Sequence, residues 1–219
     1  MKRARRPAIR AIFFDFDGVL VDSEPLHYAC WRKVLASRGI RLSWGEYRRR
    51  MIGVSNRQMV RELCGETGRT YSDQLFEEWY AEKKRLYFAR VARCRVPRAL
   101  VACLRRLRLD YALGVVSSSA RREVEPTLVR QGIRGWLTTV ICSEDVKKLK
   151  PAPDAYRRAL AMVNARSRRR IRAAECLVVE DSGPGVEAAR RARMRVVRVA
   201  GPRKVARAVR GELHAMGLR

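Results

Sequence analysis

The chain reads FFDFDGVLVDSE from Phe13 to Glu24. Two carboxylates, those of Asp15 and Asp17, come directly after the short apolar run Ile9–Phe14, which is typical of a buried strand. In open α/β sheets, ligands bind at the carboxyl end of such strands. Burying two like charges costs free energy unless a cation or a proton compensates them. We therefore expect these aspartates either to lie in a solvated turn or to share a site with a cation.

Four more apolar runs have the length of buried strands. They are Ala112–Val116, Thr139–Ile141, Cys176–Val179 and Val196–Val199. Helical patterns separate the later runs, and this alternation is typical of a parallel sheet with helices on both faces. The sequence therefore predicts an α/β fold with a three-layer, Rossmann-like core.

The stretch between the first two runs contains helix signals and no strand candidate. Pro25 suits the first turn of a helix that ends near Gly39, and Ser72 precedes an amphipathic, aromatic helix that ends near Val91. Two capping-box spacings lie between them, at Ser43/Glu46 and Ser55/Gln58. We expect a core formed by residues 1–21 and 96–219 and an inserted helical domain of residues 22–95, with the aromatic residues forming the small core of the insert.

Three further segments carry groups suited to phosphate chemistry. The serines at 117–119 offer a hydroxyl and backbone N–H groups for a phosphate, unless Ser119 only caps a helix. Lys150, just before a proline, would offset phosphoryl charge, unless it is an ordinary surface lysine. Glu180-Asp181 is either an acidic turn or the set of hard ligands that completes a magnesium site. With Mg²⁺ as cofactor, one aspartate would attack phosphorus while the other manages a proton.

With these four motifs in order, the chain resembles the haloacid dehalogenase superfamily. The similarity is to the subgroup with a helical cap after the first strand, which includes β-phosphoglucomutase and sugar-phosphate phosphatases. The resemblance implies that Asp15 is the nucleophile that forms an aspartyl-phosphate, and that Asp17 protonates the leaving oxygen and then activates water. It also implies that Lys150 bridges the nucleophile and the phosphate.

The resemblance further implies the ligands of the metal and the phosphate. The metal ligands are the Asp15 carboxylate, the Asp17 main-chain carbonyl, Asp181 and, in support, Glu180. The candidates for binding phosphate or substrate are Gly18, Ser117 and Ser118 in the core, and His27, Gly53, Asn56 and Arg57 in the insert.

Residues of the insert separate the possible activities. Mutases of this subgroup carry a lysine and an arginine where this chain has Ile52 and Asn56, and Arg57 stands one position away. Because a mutase needs cations for a second phosphate, this favours a phosphatase of small metabolites, with a hexose-phosphate mutase as the alternative. His27 matches a histidine of the mutases, although a packed or solvated side chain explains it as well.

Other activities of the superfamily fit the sequence less well. The dehalogenases lack the second aspartate that this chain keeps as Asp17. The phosphonate hydrolases use a cap lysine, whereas Lys33, Lys83 and Lys84 are expected to be solvated. Two local departures are also expected to matter: Pro126 should kink or delay a helix, and Arg193 stands at a helix end that usually carries glycine.

The charge of the chain is strongly positive. It has 49 Lys and Arg against 22 Asp and Glu, a formal net charge of +27, and the cations are scattered along the whole sequence. Scatter of this kind favours compositional drift toward arginine over a selected nucleic-acid surface, so we expect only non-specific contact with nucleic acid. A basic nucleic-acid-binding protein with an inactive form of the fold remains the alternative.

The sequence lacks the features of a membrane-spanning or exported protein. No apolar run approaches the roughly 20 residues needed to cross a bilayer, and no signal-type apolar segment follows the basic start. The six cysteines form no CxxC pair, which is typical of reduced thiols. We therefore expect a cytoplasmic protein with no membrane partner, acting on a small phosphorylated metabolite as a monomer or weak dimer.

Overall fold

The computed structural model describes residues 9–52 and 54–217, so the expected binding residue Gly53 lies outside the described part. The chain divides into two compact units. The core unit contains residues 1–22 and 94–219, and the helical unit contains residues 23–93. The expected boundaries differ from these by one residue at the first junction and by two at the second.

The core unit contains a five-stranded sheet in which every pair of neighbours is parallel. The strands are β1 (Ala11–Phe14), β2 (Ala112–Val116), β3 (Thr139–Ile141), β4 (Cys176–Glu180) and β5 (Arg195–Arg198), in the spatial order β3-β2-β1-β4-β5. Phe14 at the end of β1 is in register with Val115 on one side and Val179 on the other. The two motifs that follow β1 and β4 therefore leave neighbouring strands at the same edge of the sheet.

The helical unit lies between β1 and β2 in the sequence. Its helices are α1 (Glu24–Ala36), α2 (Trp44–Glu46), a π-helical turn (Tyr47–Met51), α3 (Asn56–Glu66) and α4 (Asp73–Val91). Ser43 and Glu46 form the expected reciprocal capping box. Ser55 caps α3 through the Gln58 backbone N–H, while the Gln58 side chain donates to Glu62 instead of returning to Ser55.

Most of the large apolar side chains of the insert form its own core, as expected. Trp31, Leu63, Phe76 and Trp79 are among its buried members. The expectation that Lys83 is solvated is wrong, because this residue is only 2% exposed. Among the described residues, no helix combines the length and the apolar character needed to span a membrane.

In the described part of the core unit, five α-helices cover the two faces of the sheet. They are α5 (Arg98–Leu107), α6 (Arg121–Arg130), α7 (Asp154–Asn164), α8 (Gly183–Arg191) and α9 (Pro202–Ala215). One buried cluster joins Phe14 to residues of α5, α6 and α9, and a second joins Phe13 to residues of α7 and α8. The successive phenylalanines thus point to opposite faces, which confirms the three-layer α/β fold.

The two local departures noted in the sequence have different outcomes. The helix α6 begins at Arg121, before Pro126, so the expected late start is wrong. The proline lies after the first turn and removes one backbone hydrogen bond from the helix. Arg193 has a φ of 59° just beyond α8, the left-handed conformation that glycine adopts most easily.

Candidate active site

Lys150 connects the acidic motifs at the carboxyl edge of the sheet. Its Nζ lies 2.6 Å from Asp15 Oδ1, 2.6 Å from Glu180 Oε1 and 2.8 Å from the carbonyl oxygen of Val116. All three donors of the ammonium group are therefore used. Its side chain is only 6% exposed, so the alternative of an ordinary surface lysine is wrong. Burial alone would lower the pKa of Lys150, but attraction to the two carboxylates raises it above the ordinary value.

Three carboxylates gather beside this lysine. Oxygen atoms of Asp15, Glu180 and Asp181 all lie within 4.8 Å of one another. Burial raises the pKa of Asp15 well above its ordinary value, and it raises that of Asp181 to about 6, with repulsion from Glu180 contributing to both shifts. Negative charge is thus disfavoured in this group unless further positive charge is supplied.

The donor chemistry of the group fits a hard divalent cation. Carboxylate oxygens are the ligands that Mg²⁺ prefers, and Mg²⁺ also accepts phosphate oxygens. With Asp17 included, four carboxylates face one ammonium, which leaves a formal charge of −3 when all are ionised. A divalent cation would relieve the repulsion that raises the pKa of Asp15 and Asp181.

Glu180 is the most firmly held of the three carboxylates. It is fully buried, and its Oε1 accepts from Lys150 and from the hydroxyl of Tyr156 at 2.7 Å. Its Oε2 accepts from the Ser182 hydroxyl at 3.1 Å and from the backbone N–H groups of Asp181 and Ser182. Both oxygens are therefore fixed by donors of the protein itself.

Two glycines make room for the acidic side chains. Gly18 has a φ of 74°, and a Cβ built on it would overlap the carboxylate of Asp181. A Cβ built on Gly185 would overlap the carboxylate of Glu180. Only glycine therefore fits at either position without movement of a site carboxylate. The resemblance implies that Gly18 binds phosphate or substrate, and the structure shows that it also makes room for the Asp181 carboxylate.

The serines after β2 have distinct surroundings. Ser117 is buried, and its Oγ accepts from the backbone N–H of Ser119 at 3.0 Å, while Ser118 is exposed. The hydroxyl of Ser119 donates to Asp17 Oδ2 at 2.7 Å. The alternative that Ser119 caps α6 is wrong, because the N-cap residue is Ala120, whose backbone N–H is bound by a glutamate side chain of the same helix.

The three described candidates in the insert, His27, Asn56 and Arg57, are engaged within the helical unit. His27 stacks on Tyr87 with 4.4 Å between ring centroids, and its Nδ1 lies 2.8 Å from Lys83 Nζ. Burial and the nearby lysines lower the pKa of His27 to about 3, so its ring is neutral at physiological pH. The Oδ1 of Asn56 accepts from the indole N–H of Trp31 at 2.9 Å.

Arg57 is surrounded by compensating groups. Its guanidinium pairs with Asp73 and with Glu77, the latter at 2.8 Å, and it lies 4.4 Å from the ring centroid of Phe76. These two carboxylates already balance its charge. Arg57 is thus not an uncompensated cation of the kind that a second phosphate would need.

Sequence reasoning missed Tyr156, Ser182 and Gly185 as contacts of Glu180. Tyr156 lies on the buried face of α7. One signal was available, because a tyrosine in a fully buried row needs a partner for its hydroxyl. The partner itself lies 24 residues away in the sequence, and no local pattern identifies it.

Comparisons with known proteins find relatives with a similar sequence and solved structures with the same fold. The phosphorylated carbohydrates phosphatase of Thermotoga maritima is 29% identical over 185 residues, which cover 84% of this chain and 82% of that protein. The fructose-1-phosphate phosphatase YqaB of Escherichia coli is 26% identical over 188 residues, 86% of this chain and 95% of that protein. The crystal structure of CbbY from Rhodobacter sphaeroides with phosphate has the same fold, with a TM-score of 0.70, 21% identity, and coverage of 88% of this chain and 87% of that one.

The match to a protein family is equally extensive. The model of the haloacid dehalogenase-like hydrolases matches residues 12–199, which include both acidic motifs, the serines after β2 and Lys150. The chain therefore belongs to the haloacid dehalogenase-like hydrolase family, in the subgroup of phosphatases and β-phosphoglucomutases.

Proposed function

We propose that this hydrolase is a magnesium-dependent phosphatase of small phosphorylated metabolites, most simply sugar phosphates, and that it acts through an aspartyl-phosphate on Asp15. One observation carries the proposal. The ammonium of Lys150 and the carboxylates of Glu180 and Asp181 converge on Asp15 at the edge of the sheet where α/β proteins bind ligands. The names of the phosphatases similar to this chain support the class of substrate.

Asp15 would form and then lose a bond to phosphorus. Lys150 donates to its Oδ1 and so orients the carboxylate that would attack phosphorus. The new bond forms as the bond from phosphorus to the leaving oxygen breaks, and the leaving oxygen keeps the electron pair and takes a proton from Asp17. Asp17 then accepts a proton from water, which attacks phosphorus and releases inorganic phosphate from Asp15. The Ser119 hydroxyl orients Asp17 for both steps.

The remaining groups bind and stabilise the phosphoryl group. The hydroxyl of Ser117 and the backbone N–H of Ser118 would donate to its oxygens, and Lys150 would offset the charge that it shares with Asp15. The residues that would hold Mg²⁺ are Asp15, Asp181 and the Asp17 carbonyl, with Glu180 in support. Bound there, the ion would supply positive charge to the phosphoryl oxygens.

The proposal is tested by hydrolysis of p-nitrophenyl phosphate and a panel of sugar phosphates with and without EDTA. We expect turnover that requires Mg²⁺ and a loss of at least about 10³-fold in Asp15→Asn, because the amide is not a nucleophile. Asp110→Asn removes an exposed carboxylate in the loop before β2 and is the matched control. Metal-independent turnover, or equal activity of the two variants, would contradict the proposal.

The mutase alternative is disfavoured by the surroundings of Arg57. Its charge is already balanced by Asp73 and Glu77. Incubation with β-glucose 1-phosphate and trace bisphosphate separates the two activities, because a mutase would form glucose 6-phosphate faster than free phosphate. The nucleic-acid alternative predicts tight binding that falls steeply with salt and no turnover.

A further inference from the structure

The hydroxyl of Tyr156 is a buried polar group that the mechanism above does not use. Tyr156 is 0% exposed, lies on α7 and belongs to the apolar cluster beneath one face of the sheet. Its hydroxyl donates to Glu180 Oε1 at 2.7 Å. Burial and the nearby Glu180 raise the pKa of Tyr156 well above the ordinary value, so the group stays a donor.

This hydrogen bond is the first link of a continuous chain to the nucleophile. The same oxygen, Glu180 Oε1, accepts from Lys150 Nζ at 2.6 Å, and Nζ also donates to Asp15 Oδ1 at 2.6 Å. The ring of Tyr156 lies beside this chain, with its centroid 5.2 Å from Lys150 Nζ. The tyrosine therefore contacts both Glu180 and Lys150 without reaching Asp15.

We propose that Tyr156 is a positioning residue, which fixes Glu180 and through it aligns the ammonium of Lys150 on Asp15. The inference rests on the proposed function. Both donors to Glu180 Oε1 come from side chains, whereas Oε2 is held partly by the backbone. Without the tyrosine hydroxyl, Lys150 is left as the donor to Oε1 and is drawn toward Glu180, away from Asp15.

This role predicts which kinetic step is affected. The charge of Lys150 matters most while the phosphoryl group is transferred to Asp15, and misalignment at that step lowers kcat. Substrate is bound mainly by other groups, so KM should change little. We expect Tyr156→Phe to lower kcat about tenfold and to change KM by less than about twofold.

The variant Tyr156→Phe isolates the hydroxyl. Phenylalanine keeps the ring that packs in the apolar cluster and lies beside Lys150, so the helix should dock as before. Asn164→Ala is the matched control on the same helix. It removes two hydrogen bonds to the backbone of Ile171 at the opposite end of α7, so it weakens the anchoring of the helix without touching the site.

A double-mutant cycle with Glu180→Gln provides the decisive measurement. If Tyr156 acts through the Glu180 carboxylate, Tyr156→Phe should cost about tenfold in kcat when Glu180 is present and less than about twofold in the Gln background. Asn164→Ala should lower the stability and leave kcat unchanged in both backgrounds. Equal losses of kcat for Tyr156→Phe in the two backgrounds, or the same loss in Asn164→Ala, would show a purely structural role and overturn the inference.

The two proposals fail in distinguishable ways. If Asp15→Asn keeps the activity of the unmodified enzyme, the proposed function is wrong. If Asp15→Asn is inactive while Tyr156→Phe retains full kcat, the proposed function stands and the positioning role of Tyr156 is wrong. Urea unfolding of every variant checks that a change in kcat does not follow from loss of folded protein.

Discussion

Gly185→Ala should both destabilise the core unit and damage the site. The added Cβ would lie well inside the 3.0 Å that real Cβ atoms keep from other heavy atoms, and the atoms it meets belong to the Glu180 carboxylate. The end of a flexible side chain usually moves away at little cost. Glu180 has no such freedom, because its two oxygens accept hydrogen bonds from Lys150, Tyr156 and Ser182.

The size of the effect follows from these contacts. Overpacking a rigid interior costs about 1–3 kcal/mol. Displacing Glu180 weakens hydrogen bonds to a charged group, which contribute about 1.5–3 kcal/mol in similar settings. We therefore expect a loss of about 3–5 kcal/mol in the free energy of unfolding, or about 6–20 °C in Tm for a chain of this size. We also expect kcat to fall at least about 100-fold, because Lys150 moves with Glu180.

Gly183→Ala is the matched control for this substitution. Gly183 lies in the same first turn of α8, and a Cβ there meets nothing within 4 Å. Since alanine is the better helix former, we expect a change of no more than about 1 kcal/mol, with unchanged kcat. The assays are urea unfolding, thermal unfolding and hydrolysis of p-nitrophenyl phosphate with Mg²⁺. If Gly185→Ala proves as stable and as active as Gly183→Ala, the carboxylate is not held as rigidly as argued above.

Four further predictions concern other contacts. Ser119→Ala removes the hydroxyl that donates to Asp17, and we expect kcat to fall about tenfold for sugar phosphates. The loss should be smaller for p-nitrophenyl phosphate, because its leaving group needs no proton. Equal losses for both substrates would contradict this prediction. The folded-state pKa of His27 is about 3, below its ordinary 6.5, so its contribution to stability is complete above pH 6.5 and is lost as the pH falls through that interval. Between pH 6.5 and 5 we expect the free energy of unfolding to fall by about 1.6 kcal/mol more than in His27→Gln, and NMR of the ring to show a neutral imidazole. A ring that titrates near pH 6 would refute the assignment. Lys150→Arg should be as inactive as Lys150→Met, because a planar guanidinium cannot place one nitrogen against three acceptors. Partial rescue of activity by arginine would show that a positive charge alone suffices. Arg193→Gly should raise the free energy of unfolding by about 0.5–1 kcal/mol and leave kcat unchanged, because glycine adopts the left-handed conformation without strain. A loss of stability would mean that the arginine side chain makes stabilising contacts of its own.

The strands were the easiest part of the fold to predict. Parallel strands that are covered on both faces are short, continuous apolar runs. The ends of each of the five predicted runs differ by at most two residues from the ends of the observed strand. The acidic motifs follow from the same logic, because the ends of neighbouring parallel strands meet at one edge. The sequence alone therefore predicts that Asp15, Glu180 and Asp181 lie close together, as they do in the structure.

The parts that were missed depend on contacts between distant segments. Lys83 stands in a charged helical pattern and was expected to be solvated, yet it is buried against His27, 56 residues away. Ser119 has the local signature of a helix cap, but its hydroxyl binds Asp17, 102 residues away, because a glutamate caps the helix instead. A local pattern indicates which interactions a side chain is able to make, and tertiary packing determines which of these interactions forms.

Lysine and arginine are distributed differently between the surface and the interior of the protein. Of the 49 basic residues, 41 are arginine and 8 are lysine, so arginine fills most positions that require only a positive charge. Among the residues that the structure describes, no arginine is buried as a whole residue, whereas Lys83 is only 2% exposed and the side chain of Lys150 only 6%. A compact ammonium fits where several acceptors or aromatic rings converge on a single nitrogen, whereas a guanidinium is broader and planar. Lysine therefore stands at these two positions because the geometry of the interior requires a single nitrogen there.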